Sequence, residues 1–261
     1  MTKIKVLNLY AGIGGNRKLW KNVDVTAVEI DEKIAAIYKE NFPEDEVIVG
    51  DAHKYLEEHY HEFDFIWSSP PCPTHSKVRF ANQKQNKPIY PSMILYEEII
   101  FLKHYFKGKF VVENVISFYE PLIKPQEISQ HYYWTNFPIP KIKKEFRGMG
   151  RNENLNDLYK LKGFDLSKYN GIDKMKTIRN CVEPKAGLHI FNSAYQKVQK
   201  TLSNLSHKSH TLASPTFPTE KAINRNLQVT PSASPKEATL PSVNSDIKPN
   251  SQVLLQARQS D

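Results

Sequence analysis

Cysteine is scarce in this sequence: only Cys72 and Cys181 occur. That excludes a disulfide framework, fits a reducing cytosol and leaves Cys72 free to act as a thiolate. No apolar run approaches the length of a membrane span or a signal-peptide core, and Met1-Thr2-Lys3-Ile4-Lys5 leads directly into a strand-like run. A cytoplasmic chain without membrane association is expected. The nine histidines lack metal-ligand spacing, so no metal is expected, and no internal repeat is present. Acidic residues are the minority, 28 Asp and Glu against 36 Lys and Arg, leaving a formal charge of +8. The excess is spread along the chain, which points to a polyanionic partner such as nucleic acid.

What is present is a core-forming fraction of apolar residues, 39%, arranged in alternating short runs and helical stretches. Ile4 to Leu9, Val25 to Ile30, Glu46 to Val49, Phe63 to Trp67 and Phe110 to Glu113 read as strands. Asn16 to Lys21, Asp31 to Asn41, Ala52 to His59 and Pro91 to Phe106 read as helices between them. This alternation predicts an α/β fold with a Rossmann-like, doubly wound, mostly parallel sheet, with ligands at the C-terminal ends of its strands. His131 to Phe137 reads as a further strand and Pro184 to Gln196 as a closing helix, whereas Lys141 to Lys168 is polar, basic and weakly periodic. Residues 201–261 are crowded with Ser, Thr, Pro, Asn and Gln, a composition expected to remain a disordered tail.

Leu9-Tyr10-Ala11-Gly12-Ile13-Gly14-Gly15 follows the first strand, where glycines let a backbone pass close to a ligand and a following helix would offer free amides. Glu29-Ile30 ends the second strand, where an acid can accept both hydroxyls of a ribose, and Gly50-Asp51-Ala52 ends the third, where Asp51 can meet an adenine amine. The glycines do not follow the G-x-G-x-x-G spacing of dinucleotide sites, and S-adenosyl-L-methionine fits the set better than a nicotinamide cofactor. After the fourth strand comes Ser68-Ser69-Pro70-Pro71-Cys72-Pro73-Thr74-His75-Ser76, and the fifth ends in Glu113-Asn114-Val115. A thiol on a proline-stiffened loop opposite a strand-end carboxylate suits covalent attack on an electron-poor ring. Cytosine C5 becomes nucleophilic when a thiolate adds at C6 and an acid holds N3.

In these residues the chain resembles the C5-cytosine-specific DNA methyltransferases, particularly the small bacterial and phage members. The likeness runs in the family's order from about Lys3 to Gln196. Tyr10 to Gly15 resembles the first cofactor motif, Glu29 and Asp51 the next two acids, Pro70-Pro71-Cys72 the nucleophile motif and Glu113-Asn114-Val115 the glutamate motif; Asn180-Cys181-Val182 with Pro184 resembles the last motif. The resemblance implies a class I S-adenosylmethionine-dependent methyltransferase fold. It implies catalysis by Cys72, Glu113 and Asn114, and a cofactor held by Tyr10, Ala11, Gly12, Ile13, Gly14, Glu29, Ile30, Asp51, Ala52, Pro71 and Asn180. Double-stranded DNA would be contacted by Ser76, Lys77, Arg79, His131, Arg147 and Arg151, its target cytosine flipped out of the helix. It further implies a bacterial or phage-encoded monomer in a restriction-modification or phage self-protection setting, with a cognate restriction endonuclease as a partner.

Three features depart from the family pattern. Pro73 stands where glutamine usually follows Pro-Pro-Cys. Ser129-Gln130-His131-Tyr132-Tyr133-Trp134 lacks the usual arginine, so Gln130 or His131 must substitute. Only residues 141–171 are available as a target-recognition region, between a catalytic core over 1–140 and a segment over 172–200 that packs back on it. A tRNA cytosine-C5 methyltransferase and a catalytically inactive DNA-binding relative are the competing readings.

Overall fold

Short β-rich runs become the strands of one sheet: β1 (Ile4–Leu9), β2 (Val23–Glu29), β3 (Glu46–Val49), β4 (Phe65–Ser68) and β5 (Lys109–Val115), followed by β6 (Gln126–Ile128) and β7 (His131–Thr135). The computed structural model describes residues 2–82, 87–141 and 154–195, all within one compact unit spanning Met1–Lys200. Arg147, Arg151 and the 201–261 segment lie outside the described residues.

The strand order is β3-β2-β1-β4-β5-β7-β6. The first five strands are parallel, while β7 runs antiparallel to both β5 and β6. From β1 the chain winds outward through β2 and β3, then returns to β4 on the other side, which makes the gap between β1 and β4 a topological switch point. The fold is thus the Rossmann-like, doubly wound, mostly parallel class that the sequence predicts. Ile128 pairs with His131, so Ser129 and Gln130 form a two-residue hairpin loop with φ of 50° and 69°. Positive φ at both positions matches the strand twist.

Seven helices occur among the described residues: α1 (Glu32–Asn41), α2 (Ala52–His59), α3 (Lys77–Ala81), α4 (Ile94–Tyr105), α5 (Leu155–Lys162), α6 (Lys174–Asn180) and α7 (Pro184–Tyr195). The central strands are buried on both faces, so their sequences read as near-continuous apolar runs. Leu7, Leu9, Ile66 and Val112 pack with Leu56 of α2 and Leu95, Ile99 and Leu102 of α4. On the opposite face Val6, Val25, Phe65 and Trp67 pack with Trp20 and with Ile190 and Phe191 of α7. Asp31 and Asp51 cap α1 and α2, each accepting two backbone amides, so both helices start where their strands end.

The expected helix over Asn16 to Lys21 does not form; consecutive turns take its place. Side chains in this stretch are claimed by partners in different directions. Asn16 Nδ2 donates to Asn8 Oδ1 at 2.7 Å in the core, the Trp20 indole donates to Gly187 O, and Arg17 makes a two-pronged contact with Asp45 at 2.8 and 2.9 Å. The free helical amides expected after the glycine loop are therefore absent. Lys141 to Lys168 also differs from its reading, since it contains α5, bracketed by the Asn154 cap and by Gly163 at φ 69°.

Asp45 is the most heavily used acid of this region, accepting the Tyr38 hydroxyl at 2.9 Å as well as Arg17, with its side chain only 2% exposed. Replacing it by alanine strands a largely buried guanidinium. Asp45→Ala is expected to lower unfolding stability by about 3–5 kcal/mol, read as a shift in the urea midpoint at unchanged slope.

Candidate active site

Because β1 to β5 are parallel, their C-terminal ends meet on one edge of the sheet, and every sequence-predicted catalytic or cofactor residue except Asn180 lies at or just after one of them. The β1, β2 and β3 ends form the cofactor half. Glu29 spans two loops: its Oε2 accepts the Gly12 amide at 2.8 Å and its Oε1 the Asp31 amide at 3.1 Å. Ala11 donates its amide to Val28 O, holding the glycine loop against β2.

The glycines divide by role. A Cβ on Gly14 would meet the Phe42 ring at 2.3 Å, and one on Gly15 would meet Val182 O at 2.2 Å. These two are small so that the loop can pack against its own protein. Gly12, at φ 55°, would direct a Cβ into open space with nothing within 4 Å. Gly12 therefore lines the surface left for a ligand. Ile30, 72% exposed, presents an apolar face next to Glu29, as an adenine would require, and the exposed Asp51 stands at the next strand end. Ile13 and Ala52 turn their side chains into the core and reach a ligand only through backbone. Tyr10, at φ 54°, sends its hydroxyl to Glu98. Exposed Asn180 closes α6, and the following Cys181 is buried against the glycine loop.

The β4 and β5 ends form the second half. Cys72 is partly buried, and burial together with the negative charge of Glu113 pushes its thiol above the ordinary value. At neutral pH the resting thiol is therefore protonated and acts as a thiolate only once that proton is removed. Asn114 is buried and anchors the loop: its Nδ2 donates to Pro70 O at 3.0 Å while its Oδ1 accepts the Val115 amide. In this structure it positions Cys72 rather than facing a substrate. His75, unremarkable in sequence, is buried and donates its backbone amide to Cys72 O, and its imidazole Nδ1 lies 2.6 Å from the Tyr119 hydroxyl. Exposed Pro71 stands between these anchored residues.

A family model of C-5 cytosine-specific DNA methylases matches residues 4–126, from β1 to the start of β6. Over this stretch the chain is similar to that family. No curated protein matches the chain significantly. Among solved structures, a DNMT2 mutant from Spodoptera frugiperda is 28% identical over 43% of this chain and 36% of that one, with a TM-score of 0.31. The methyltransferase EhMeth from Entamoeba histolytica is 17% identical, covering 60% and 62% with a TM-score of 0.35. An S-adenosylmethionine-dependent methyltransferase from Agrobacterium tumefaciens is 17% identical, covering 45% and 40% with a TM-score of 0.32.

On β7, His131 sets its Nε2 3.6 Å from Glu113 Oε1 and is half-exposed. Of the two residues that could replace the family arginine, it is the one placed at the carboxylate, because Gln130 is consumed by the hairpin loop. Ser76 caps α3 through the Val78 amide, Lys77 is exposed, and Arg79 donates to Lys87 O. Phe80 of α3 stacks on Phe118 with centroids 4.6 Å apart. Lys162 of α5 is buried and donates to Cys181 O at 2.7 Å. Leu158, Phe164 and Leu166 of the same region share a core with Ile13, Ile37 and Ile178.

Among the described residues, no helix is long and apolar enough to cross a membrane, and no group of three or more His, Cys, Asp or Glu is arranged to hold a metal ion.

Proposed function

We propose that this protein is a DNA (cytosine-5)-methyltransferase using S-adenosyl-L-methionine. The observation that carries this reading is the convergence of Cys72, on the loop after β4, and Glu113, near the end of the adjacent parallel strand β5. The cofactor half fits S-adenosylmethionine: open space over Gly12, exposed Ile30 for an adenine face, Glu29 for ribose hydroxyls and Asp51 for an exocyclic amine. When bound there, S-adenosylmethionine supplies an electrophilic methyl group.

The chain's own residues do the rest. A cytosine flipped out of duplex DNA costs roughly a few kcal/mol of unstacking and enters between the two loops. The proton that leaves the Cys72 thiol ends on N3, where the Glu113 carboxylate accepts the N3–H hydrogen bond. The thiolate then forms the Sγ–C6 bond, and the displaced electron pair makes C5 nucleophilic toward the methyl group. Loss of the C5 proton and departure of Cys72 restore the ring double bond as 5-methylcytosine. Asn114 holds the Pro-Pro-Cys loop throughout, and His131 adds a hydrogen-bond donor beside Glu113 in place of a guanidinium. Duplex DNA as the substrate is supported by the family model's description, the basic charge and the cations on α3 beside the thiol loop.

Labelled S-adenosylmethionine incubated with unmethylated duplex DNA and, in parallel, with unmodified tRNA tests the assignment. Label on cytosine C5 of DNA, with none on tRNA, is the expected result. Transfer to tRNA alone assigns the RNA substrate instead, and transfer to neither contradicts the enzymatic reading.

A further inference from the structure

α4 is an apolar helix whose buried stripe runs through Leu95, Ile99 and Leu102, and at the next position of that stripe stands a carboxylate, Glu98. It is fully buried, at 0% exposure. A lone acid in such a place is costly unless its oxygens are all satisfied. Here they are, and by donors from separate parts of the active-site edge. Oε1 accepts the Tyr10 hydroxyl at 2.7 Å and faces His53 Nδ1 at 3.1 Å, while Oε2 accepts the Ser68 hydroxyl.

Each donor leads into the site. Tyr10 opens the glycine loop in a left-handed conformation that a non-glycine residue adopts only when its surroundings hold it there. His53 sits in the first turn of α2, where its amide is bonded to Asp51, and its imidazole is held above its ordinary pKa chiefly by Glu98. Ser68 is the last residue of β4, directly before Ser69-Pro70-Pro71-Cys72. Glu98 thereby joins the loop of the cofactor half to the strand end that leads into the nucleophile loop.

We infer that Glu98 is a positioning residue that couples the two halves, holding the Tyr10 loop for the cofactor and the β4 end for Cys72 at once. This rests on the methyltransferase reading above. It predicts that one buried carboxylate, remote from the reacting atoms, controls both cofactor affinity and thiol addition, and that its effects pass through two different hydroxyls.

The test uses the full chain and two readouts: the S-adenosylmethionine Kd by titration calorimetry, and the rate of covalent capture of duplex DNA containing 5-fluorocytosine at saturating cofactor. Glu98→Gln is expected to weaken Kd and slow capture by about tenfold each, the size of a lost hydrogen bond to a charged group. Adding Tyr10→Phe to Glu98→Gln should bring no further loss of affinity, and adding Ser68→Ala no further slowing, because each pair acts as a unit. Additive losses, or a folded Glu98→Gln with wild-type values of both, overturn the inference. If Glu98→Gln does not fold, the single variants decide. Tyr10→Phe must act mainly on Kd and Ser68→Ala mainly on capture, and equal effects of both on both readouts overturn it. A wild-type protein that neither binds cofactor nor captures DNA overturns the functional reading itself, an outcome recognisable without any variant.

Discussion

Cys72→Ala leaves a folded protein that binds S-adenosylmethionine as the wild type does and transfers no methyl group to DNA. The expected loss is on the order of 10⁴-fold or more, to the limit of detection, because C5 of cytosine has no other means of activation in this site. Fold and cofactor binding are spared for a structural reason. The thiol sits on a loop held by its backbone, through Asn114 to Pro70 O and through the His75 amide to Cys72 O, and none of these bonds uses the sulfur. Circular dichroism and calorimetric titration of the variant check the first half of this expectation, and transfer of labelled methyl groups checks the second. A variant retaining a tenth of the wild-type activity contradicts the covalent route.

Glu113→Gln moves two observables in opposite directions. Methyl transfer falls by about 10²–10⁴-fold, the usual worth of a positioned acid, since glutamine lacks the carboxylate that accepts the N3–H hydrogen bond. Cys72, in contrast, becomes more reactive toward iodoacetamide. Burial and the Glu113 charge both raise its pKa in the wild type, so alkylation there accelerates only above the ordinary thiol range. Removing the charge leaves burial alone, and the alkylation profile moves to lower pH. The readout is clean, because the only other cysteine, Cys181, is buried with its thiol pushed up to about 12. A profile unmoved by Glu113→Gln shows that the carboxylate and thiol do not communicate.

The parallel core and the strand-end residues were legible in the sequence because both depend on local signals. Strands buried on two faces are continuous apolar runs, and Asp31 and Asp51 mark strand-to-helix turns by their capping chemistry. The failures share a physical cause, in that partners distant in sequence override local preference. Asn16 to Lys21 has helical residues, yet Asn8, Asp45 and Gly187 draw its side chains apart. The β6–β7 hairpin turns through Ser129 and Gln130 without the Asn-Gly signal of such loops. α5 is different: its Asn154 cap, its Leu155, Leu158 and Tyr159 spacing and Gly163 are ordinary helix signals, set in a stretch that is otherwise polar and basic. Glu98 was readable in the same way, as a charge on the Leu95, Ile99, Leu102 face, but its partners Tyr10, His53 and Ser68 could be known only from the fold. So too with the glycines, which look equivalent in sequence. Only the packing around them separates Gly12, open to a ligand, from Gly14 and Gly15, closed against Phe42 and Val182.

The central claim is a covalent bond between Cys72 and a flipped cytosine. Fluorine at C5 cannot leave as a proton does, so a cytosine carrying it stays attached once the methyl group has been transferred. Incubating the protein with S-adenosylmethionine and duplex DNA containing 5-fluorocytosine, then digesting and mapping the product by mass spectrometry, reads that bond directly. The account predicts a denaturation-resistant complex in which a methylated fluorocytosine nucleotide is attached to the peptide bearing Cys72. Attachment elsewhere, or methylated DNA released with no attachment at any residue, would contradict it.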